Sequence, residues 1–291
     1  MTKKIIPPSE LIINPDGSVF HLHLKPEQLA DRILVCGDPG RVNLIAQFFD
    51  QVTFEVTARE FHTVGGIIDG KPIMALSHGI GPDNIDIVMN ELDALANIDF
   101  ETREERETHR QLSIVRIGTS GSLQADIPIG SIVIAEKSIG FDGVLNYYAG
   151  RNDIADIDFE NALCEFTNWN PLCARPYVVD ADEELVERIG RGDMLRGNTI
   201  SAVGFYGPQG RELRLPLAHP ELNSLLEKFE FKGRRVANYE MESAPLAGLG
   251  RLMGHKCMTA CIIIANRHNN NANPNYKSDL RDFVKKIVER I

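Results

Sequence analysis

Three groups of residues in this chain have types and spacings suited to holding a small polar or anionic ligand. The first is a set of arginines beside glycine-rich turns. Arg41 follows Cys36-Gly37-Asp38-Pro39-Gly40, Arg59 ends a strand-like run, and Arg116 stands inside the apolar run Ser113-Ile114-Val115-Arg116-Ile117. A guanidinium in a core strand is costly without an anionic partner. Two partners meet that need: one of the 41 Asp and Glu residues, or a bound oxyanion that also takes a hydrogen bond from the Thr119 hydroxyl. The turns at 36–41, 77–82 and 118–122 each follow a strand-like run, where exposed backbone N–H groups suit anions. None carries the Gly-Lys-Ser/Thr of a nucleotide P-loop or the dinucleotide spacing, and each alone is an ordinary tight turn.

The second group is Asn238-Tyr239-Glu240-Met241-Glu242-Ser243. Two carboxylates two residues apart, where a strand gives way to a helix, match the spacing of a sugar's vicinal hydroxyls. Acids in a helix's first turn also serve simply to offset its dipole. The third group is Phe205-Tyr206-Gly207-Pro208-Gln209-Gly210-Arg211. An aromatic ring, an amide and a guanidinium suit a planar heterocycle, stacked on the ring and read along its edge. The alternative is an exposed loop. Cys257 and Cys261 have the spacing of half a metal site, but they lie in a strand-like run without a second ligand pair, so core packing is expected.

Positioning these groups calls for alternating strands and helices, an α/β fold with a central mixed sheet flanked by helices. Strands are expected at 31–37, over 52–79 with an Asp69-Gly70 hairpin, and at 112–118, where GTSGS then turns. Further strands fall at 131–139, 198–206, 234–240 and 255–267. Residues 82–97 repeat apolar side chains at helical spacing behind Pro82. Helices follow at 220–231, 241–254 with Pro245 in the first turn, and 278–291 with Ser278 as N-cap. The segment 101–111 is charged all round and reads as a solvated helical extension. No repeat or linker divides the chain, so residues 19–291 read as one domain behind an N-terminal extension, 1–18.

With 291 residues, 43% hydrophobic and 25% charged, there is ample material for a large core. A net charge of -10 argues against broad nucleic-acid or anionic-membrane binding. The N-terminal residues lack the apolar segment of a signal peptide, and the longest apolar runs are strand-sized. The five scattered Cys read as free thiols. A cytoplasmic location is expected.

In order, VFHLHL, CGDPGRV, AREF, SHGIG, RIGTSGSLQ, FYGPQGRE and NYEMESA resemble the uridine phosphorylase branch of the nucleoside phosphorylase superfamily, from about residue 19 to the C-terminus. RIGTSG with NYEMESA is the specific part. The resemblance implies phosphorolysis of a pyrimidine nucleoside, with inorganic phosphate as co-substrate and no further cofactor. It implies that Gly37, Arg41, Arg116 and Thr119 hold phosphate, with Arg59 lent by a neighbouring subunit. Phe205, Gln209, Arg211, Ile264 and Ala265 would surround the base. Glu240, Met241 and Glu242 would hold the ribose, with His21 reaching its 5′-hydroxyl across the interface, and Arg116, Arg211 and Glu242 would carry catalysis. His23, on the same face as His21, is left a structural role. Such a shared site needs at least a dimer, and the resemblance implies a hexamer built of dimers. Family members can hold a monovalent cation at the dimer interface near Glu60, Ile80 and Asn84, and the Pro82-Asp83-Asn84 stretch departs from the usual small residues there, which argues against that site here. Purine-specific relatives place an Asp after the strand that follows the ribose segment, where this chain has Asn266-Arg267. A hydrolase would not need Arg41, Arg59 and Arg116 together. A nucleoside-binding protein without catalysis would keep the same pocket.

Overall fold

The computed structural model describes residues 4–291. Its strands are β1 (Arg32–Cys36), β2 (Gln51–Ala58), β3 (Phe61–Ile68), β4 (Lys71–Ser77), β5 (Ser113–Ser122), β6 (Ile132–Gly140), β7 (Tyr177–Asp180), β8 (Leu195–Ser201), β9 (Glu230–Phe231), β10 (Arg234–Glu240), β11 (Lys256–Asn266) and β12 (Asn271–Ala272). The helices are α1 (Pro39–Ala46), α2 (Pro82–Asn97), α3 (Arg151–Ile154), α4 (Ile157–Thr167), α5 (Glu183–Gly190), α6 (Leu222–Lys228), α7 (Ser243–Leu252) and α8 (Lys277–Val288).

One mixed sheet runs β12-β11-β6-β8-β10-β5-β1-β4-β3-β2, and β11 also pairs with β5. That extra pairing closes β11, β6, β8, β10 and β5 into a ring, with β1 to β4 splaying from it. Strand β5 is where the two parts diverge. Its outer edge pairs with β1 as far as Arg116 and with β10 from Gly121, while its other edge follows β11 throughout. Residues 117–120 are left between two ladders, a switch point of the kind where α/β sheets bind ligands.

Helices cover both faces. Ile85, Leu92, Leu246 and Leu249, from α2 and α7, pack into one buried cluster. Val42, Leu185 and Phe283, from α1, α5 and α8, pack into another. Pro39 and Pro82 open α1 and α2, where a missing N–H costs nothing. Asp38 caps α1 by accepting from the Gly40 N–H at 2.9 Å. The β3–β4 hairpin turns on Asp69 and Gly70, at φ 51° and 71°.

Several expectations need correction. GTSGS is not a turn: β5 continues to Ser122 because β11 pairs with it along that whole length. The strand expected at 198–206 ends at Ser201, and its last residues form a loop. Segment 101–111 is not helical. With no apolar face to bury, its backbone turns at Arg103 (φ 59°) and bridges to Ile5 and Ile98. The Arg103 guanidinium donates to the carbonyls of Ile6 at 2.8 Å and Leu11, tying this segment to the N-terminal one. The last helix starts from Tyr276, and the Ser278 hydroxyl instead bonds Asp279. Helices α3 to α5 and strand β7 filled a stretch that the sequence pattern left unassigned.

Candidate active site

Arg116 stands on β5 at the end of the β1 ladder, 4% exposed. Its NH1 lies 2.8 Å from Glu240 Oε2, and its NH2 pairs with Glu242 Oε2. Its Nε donates to His78 Nε2 at 3.2 Å, and NH1 reaches Cys261 Sγ at 3.6 Å. Burial opposes the guanidinium's charge, and Glu242 and Glu240 outweigh it, so Arg116 is held charged more firmly than usual.

The two carboxylates differ in what they have left to offer. Glu240 accepts from Ser201 Oγ at 2.6 Å, from the Glu242 N–H at 2.9 Å, and from the Ser243 N–H and hydroxyl at 2.9 and 2.6 Å. It is fully committed to the β10–α7 turn. Among the described residues Glu242 accepts only from the Gly81 N–H, at 2.8 Å, and from Arg116. Burial pushes its carboxyl pKa up, Arg116 pulls against that, and Glu240 adds to the rise. Of the two, Glu242 has acceptor capacity for a ligand hydroxyl. Met241, between them, is half-buried.

Arg41, one turn into α1, is buried and donates from NH1 to the Ile117 carbonyl at 2.8 Å, in the gap between the two ladders. Its Nε is buried without a partner among the described residues, a donor still to be satisfied. Gly37 ends the preceding strand against the next turn: a Cβ there would stand 3.0 Å from the Gly79 oxygen. Thr119 is half-buried in the same gap, opposite Ile262.

The loop after β8 carries a second group. Phe205 is half exposed, and the Arg211 guanidinium stacks over its ring at 3.8 Å. Arg211 NH1 donates to the Phe205 carbonyl and to Gln209 Oε1, both at 2.6 Å. Gln209 is buried. Burial, then the like charge of Arg267, brings Arg211 down to about 10, so it remains charged at neutral pH. Arg267 lies 5.7 Å over the Tyr239 ring, with NH1 buried and unpartnered among the described residues, as is the Tyr239 hydroxyl. Arg211, Arg267 and Ala265 line one cavity of about 570 Å³. Arg211, Tyr206, Phe141 and Leu222 line another of about 830 Å³. Ile264 sits at the bulge where β11 shifts register against β5.

His21 and Arg59 make a third group of their own. Arg59 occupies the tight β2–β3 turn at φ 53°, its guanidinium 5.2 Å over the Phe20 ring. Phe20 meets His21 edge-on at 4.8 Å. His21 Nδ1 lies 2.6 Å from Glu91 Oε1, and Glu91 also accepts from the backbone N–H of His21 and Leu22 at 2.9 and 2.8 Å. Among the described residues neither His21 nor Arg59 hydrogen-bonds to Arg116, Glu240 or Glu242.

Set against known proteins, residues 31–291 match the family model described as the phosphorylase superfamily. The chain belongs to that superfamily. It is 30% identical to a uridine phosphorylase of Escherichia coli (strain K12) over 260 residues, 86% of this chain and 87% of that one. It is 29% identical to a uridine phosphorylase of Thermococcus kodakarensis over 261 residues, 88% of this chain and 80% of that one. Among solved structures it matches a Trypanosoma brucei nucleoside phosphorylase, described as showing uridine phosphorylase activity, with a TM-score of 0.86 at 27% identity. That match covers 96% of this chain and 98% of the other.

Within this phosphorylase fold, the structure joins Arg41, Arg116, Glu240 and Glu242 at one switch point and links Phe205, Gln209 and Arg211 to each other. Sequence reasoning missed Glu91, His78, Tyr239 and Arg267. Glu91 had a signal: it is an acid on the apolar face of α2, between Val88 and Leu92. Glu60, Ile80 and Asn84 do converge around Gly79, where a Cβ would meet Asn84 Nδ2 at 2.6 Å and Glu60 Cγ at 3.4 Å. Yet Asn84 Nδ2 already donates to the Ile80 carbonyl at 3.3 Å. The Ile80 carbonyl is thus already in use within the turn, and these residues of one subunit do not by themselves make a cation cage.

Proposed function

We propose that this phosphorylase-superfamily chain catalyses reversible phosphorolysis of a pyrimidine nucleoside, uridine first, to free base and ribose 1-phosphate, for nucleoside salvage or catabolism. The observation that carries the reading is Arg116, a buried guanidinium shared between an anion site and the carboxylate suited to a ribose diol. Phosphate held by Arg41 and Arg116, with Thr119 and the Gly37 turn, places an oxygen under C1′. That oxygen forms a bond to C1′ as the bond from C1′ to the base nitrogen breaks. The electron pair leaves with the base, which takes a proton from solvent. Glu242 anchors the ribose hydroxyls, and the phosphate's negative charge lies under the developing sugar cation. Arg211, aligned by Gln209 and Phe205, stabilises charge on the leaving base electrostatically, since an arginine does not act as an acid at neutral pH.

His21 and Arg59 complete the site of a neighbouring subunit. They share one patch through Phe20, and Glu91 fixes His21 with its Nδ1 bonded, leaving Nε2 for a ligand. The reading therefore includes a homo-oligomer with shared sites, a hexamer built of dimers, working in the cytoplasm. Consistent with this, no helix among the described residues is long and apolar enough to cross a membrane.

The test is turnover of uridine, thymidine, 2′-deoxyuridine and inosine with and without phosphate. Uridine cleavage that requires phosphate or arsenate is expected. Brisk cleavage in phosphate-free buffer would move the assignment to a hydrolase, and preference for inosine would move it to the purine branch.

A further inference from the structure

The turn between β4 and α2, Ser77-His78-Gly79-Ile80-Gly81-Pro82, has no part in the mechanism above, yet it grips both members of the buried ion pair. Its Gly81 N–H holds Glu242 Oε1 at 2.8 Å. Its His78 Nε2 accepts from Arg116 Nε at 3.2 Å. The turn is itself fixed: the His78 N–H donates to the Cys36 carbonyl at 2.8 Å. Gly79 and Gly81 adopt φ of 73° and 102°, which a side chain would resist.

We propose that His78 is a positioning residue for phosphate, setting the plane of the Arg116 guanidinium from its Nε edge. The inference rests on the phosphorolysis reading, because it takes Arg116 as a phosphate ligand. A guanidinium presents its donors in a rigid planar fork, so anchoring one edge fixes where the others point. Glu240 and Glu242 pair with NH1 and NH2, whose remaining hydrogens can be shared with a ligand. Neither carboxylate takes the Nε–H, which has His78 as its acceptor. A carboxylate there would add a third negative charge and weaken the site for phosphate. A cation there would repel Arg116. A neutral imidazole accepts the hydrogen bond and adds no charge.

His78 is suited to stay neutral. It is fully buried, and burial, then the neighbouring Arg116 charge, depresses its pKa well below the usual histidine value. Accepting at Nε2 puts the ring hydrogen on Nδ1. The ring carbon between the two nitrogens borders the space that a side chain at Gly37 would fill, 3.7 Å from a Cβ placed there. His78 thus lies directly behind the Gly37 turn.

The experiment compares His78→Gln, His78→Asn and His78→Leu in the full-length protein. Glutamine carries its amide oxygen at about the reach of Nε2, whereas asparagine stops short and leucine has no acceptor. Removing a hydrogen bond to a charged group is expected to raise the KM for phosphate about tenfold or more in the Asn and Leu proteins. The KM for uridine should move much less, and the Gln protein should stay within about twofold of wild type. A second readout is the rise in melting temperature that phosphate alone produces, which should shrink in Asn and Leu and persist in Gln. If leucine prevents folding, the Gln and Asn pair decides. Equal losses in Gln and Asn, or an unchanged phosphate KM in both Asn and Leu, would overturn the proposal. If wild type cleaves uridine without phosphate and gains no thermal stability from it, the phosphorolysis reading itself has failed.

Discussion

The floor of the candidate site and the groups proposed for its outer edge are built on opposite principles. On the floor, Arg116, Glu240, Glu242 and His78 are buried and joined by direct bonds, and each is carried by a strand or by a turn leaving one. At the edge, Phe205 is half exposed, Arg211 bonds within its own loop, and His21 and Arg59 meet through Phe20 on a separate patch. The floor is organised before any ligand arrives, as electrostatic stabilisation of a transition state requires. The edge groups have partners only within their own small clusters, and none is bonded to the floor. The division follows from cost: buried charge is tolerable only where its partners are fixed by the fold, whereas exposed groups can wait.

The sharpest way to break this comparison is to remove the centre of the floor. Arg116→Met leaves Glu240 and Glu242 buried without their cation, at an expected cost of about 3–5 kcal/mol in stability. Activity should fall by several powers of ten, since anion binding and ribose positioning go together. Urea unfolding and steady-state kinetics on the same preparations check both. A protein as stable as wild type would mean that the floor is not held together by this ion cluster.

A smaller effect tests whether the edge belongs to the neighbour. An Arg59→Ala chain and a Glu242→Gln chain, each nearly inactive alone, are mixed under conditions that allow subunit exchange. In an isologous dimer that shares its sites, one site of each mixed pair carries both lesions and the other neither. Recovery of about a quarter of wild-type activity is expected, because half of the randomly paired dimers are mixed and each has one intact site. Mixed dimers that stay inactive would place Arg59 in its own chain's site.

The floor was also the more legible region. Arg116 in an apolar strand and the paired acids of NYEMES each posed a question about buried charge, and the fold answers both with the same contacts. The sequence reading had offered an acidic partner or a bound oxyanion as alternatives for Arg116, and the carboxylates are in place. What could not be read was convergence. Nothing in the spacing brings His78 to Arg116 across 38 residues or Glu91 to His21 across 70; those contacts depend on β4 lying beside β1 and on α2 packing under the N-terminal loop. The error at GTSGS has the same origin. Gly, Thr and Ser favour turns locally, and long-range pairing with β11 overrode that preference. Charged segment 101–111 failed differently, since helix-forming composition does not make a helix without a face to bury.

The smallest effect sharpens the comparison by asking what happens to a half-buried carboxylate that bonds no arginine among the described residues. Asp142, beyond β6, lines the larger cavity beside the base loop. Tyr177 Oη donates to its two oxygens at 2.9 and 3.0 Å, and the Val144 N–H donates at 2.8 Å. Burial is the largest influence and raises its pKa from 3.8 to about 6 against those hydrogen bonds. The folded state therefore binds this proton more tightly than the unfolded chain does. The stabilising contribution of the protonated form is fully present below about pH 4 and is lost as pH rises through about 6. Above that range the charged carboxylate costs about 1–3 kcal/mol. Asp142→Asn keeps an oxygen for Tyr177 or Val144 and removes the charge. It should match wild type near pH 3.5 and exceed its stability by about 1–3 kcal/mol at pH 8, as read from urea midpoints at the two pH values. A difference that does not grow with pH, or a variant less stable at pH 8, would show that the hydrogen bonds from Tyr177 and Val144 already offset the cost of burying this charge.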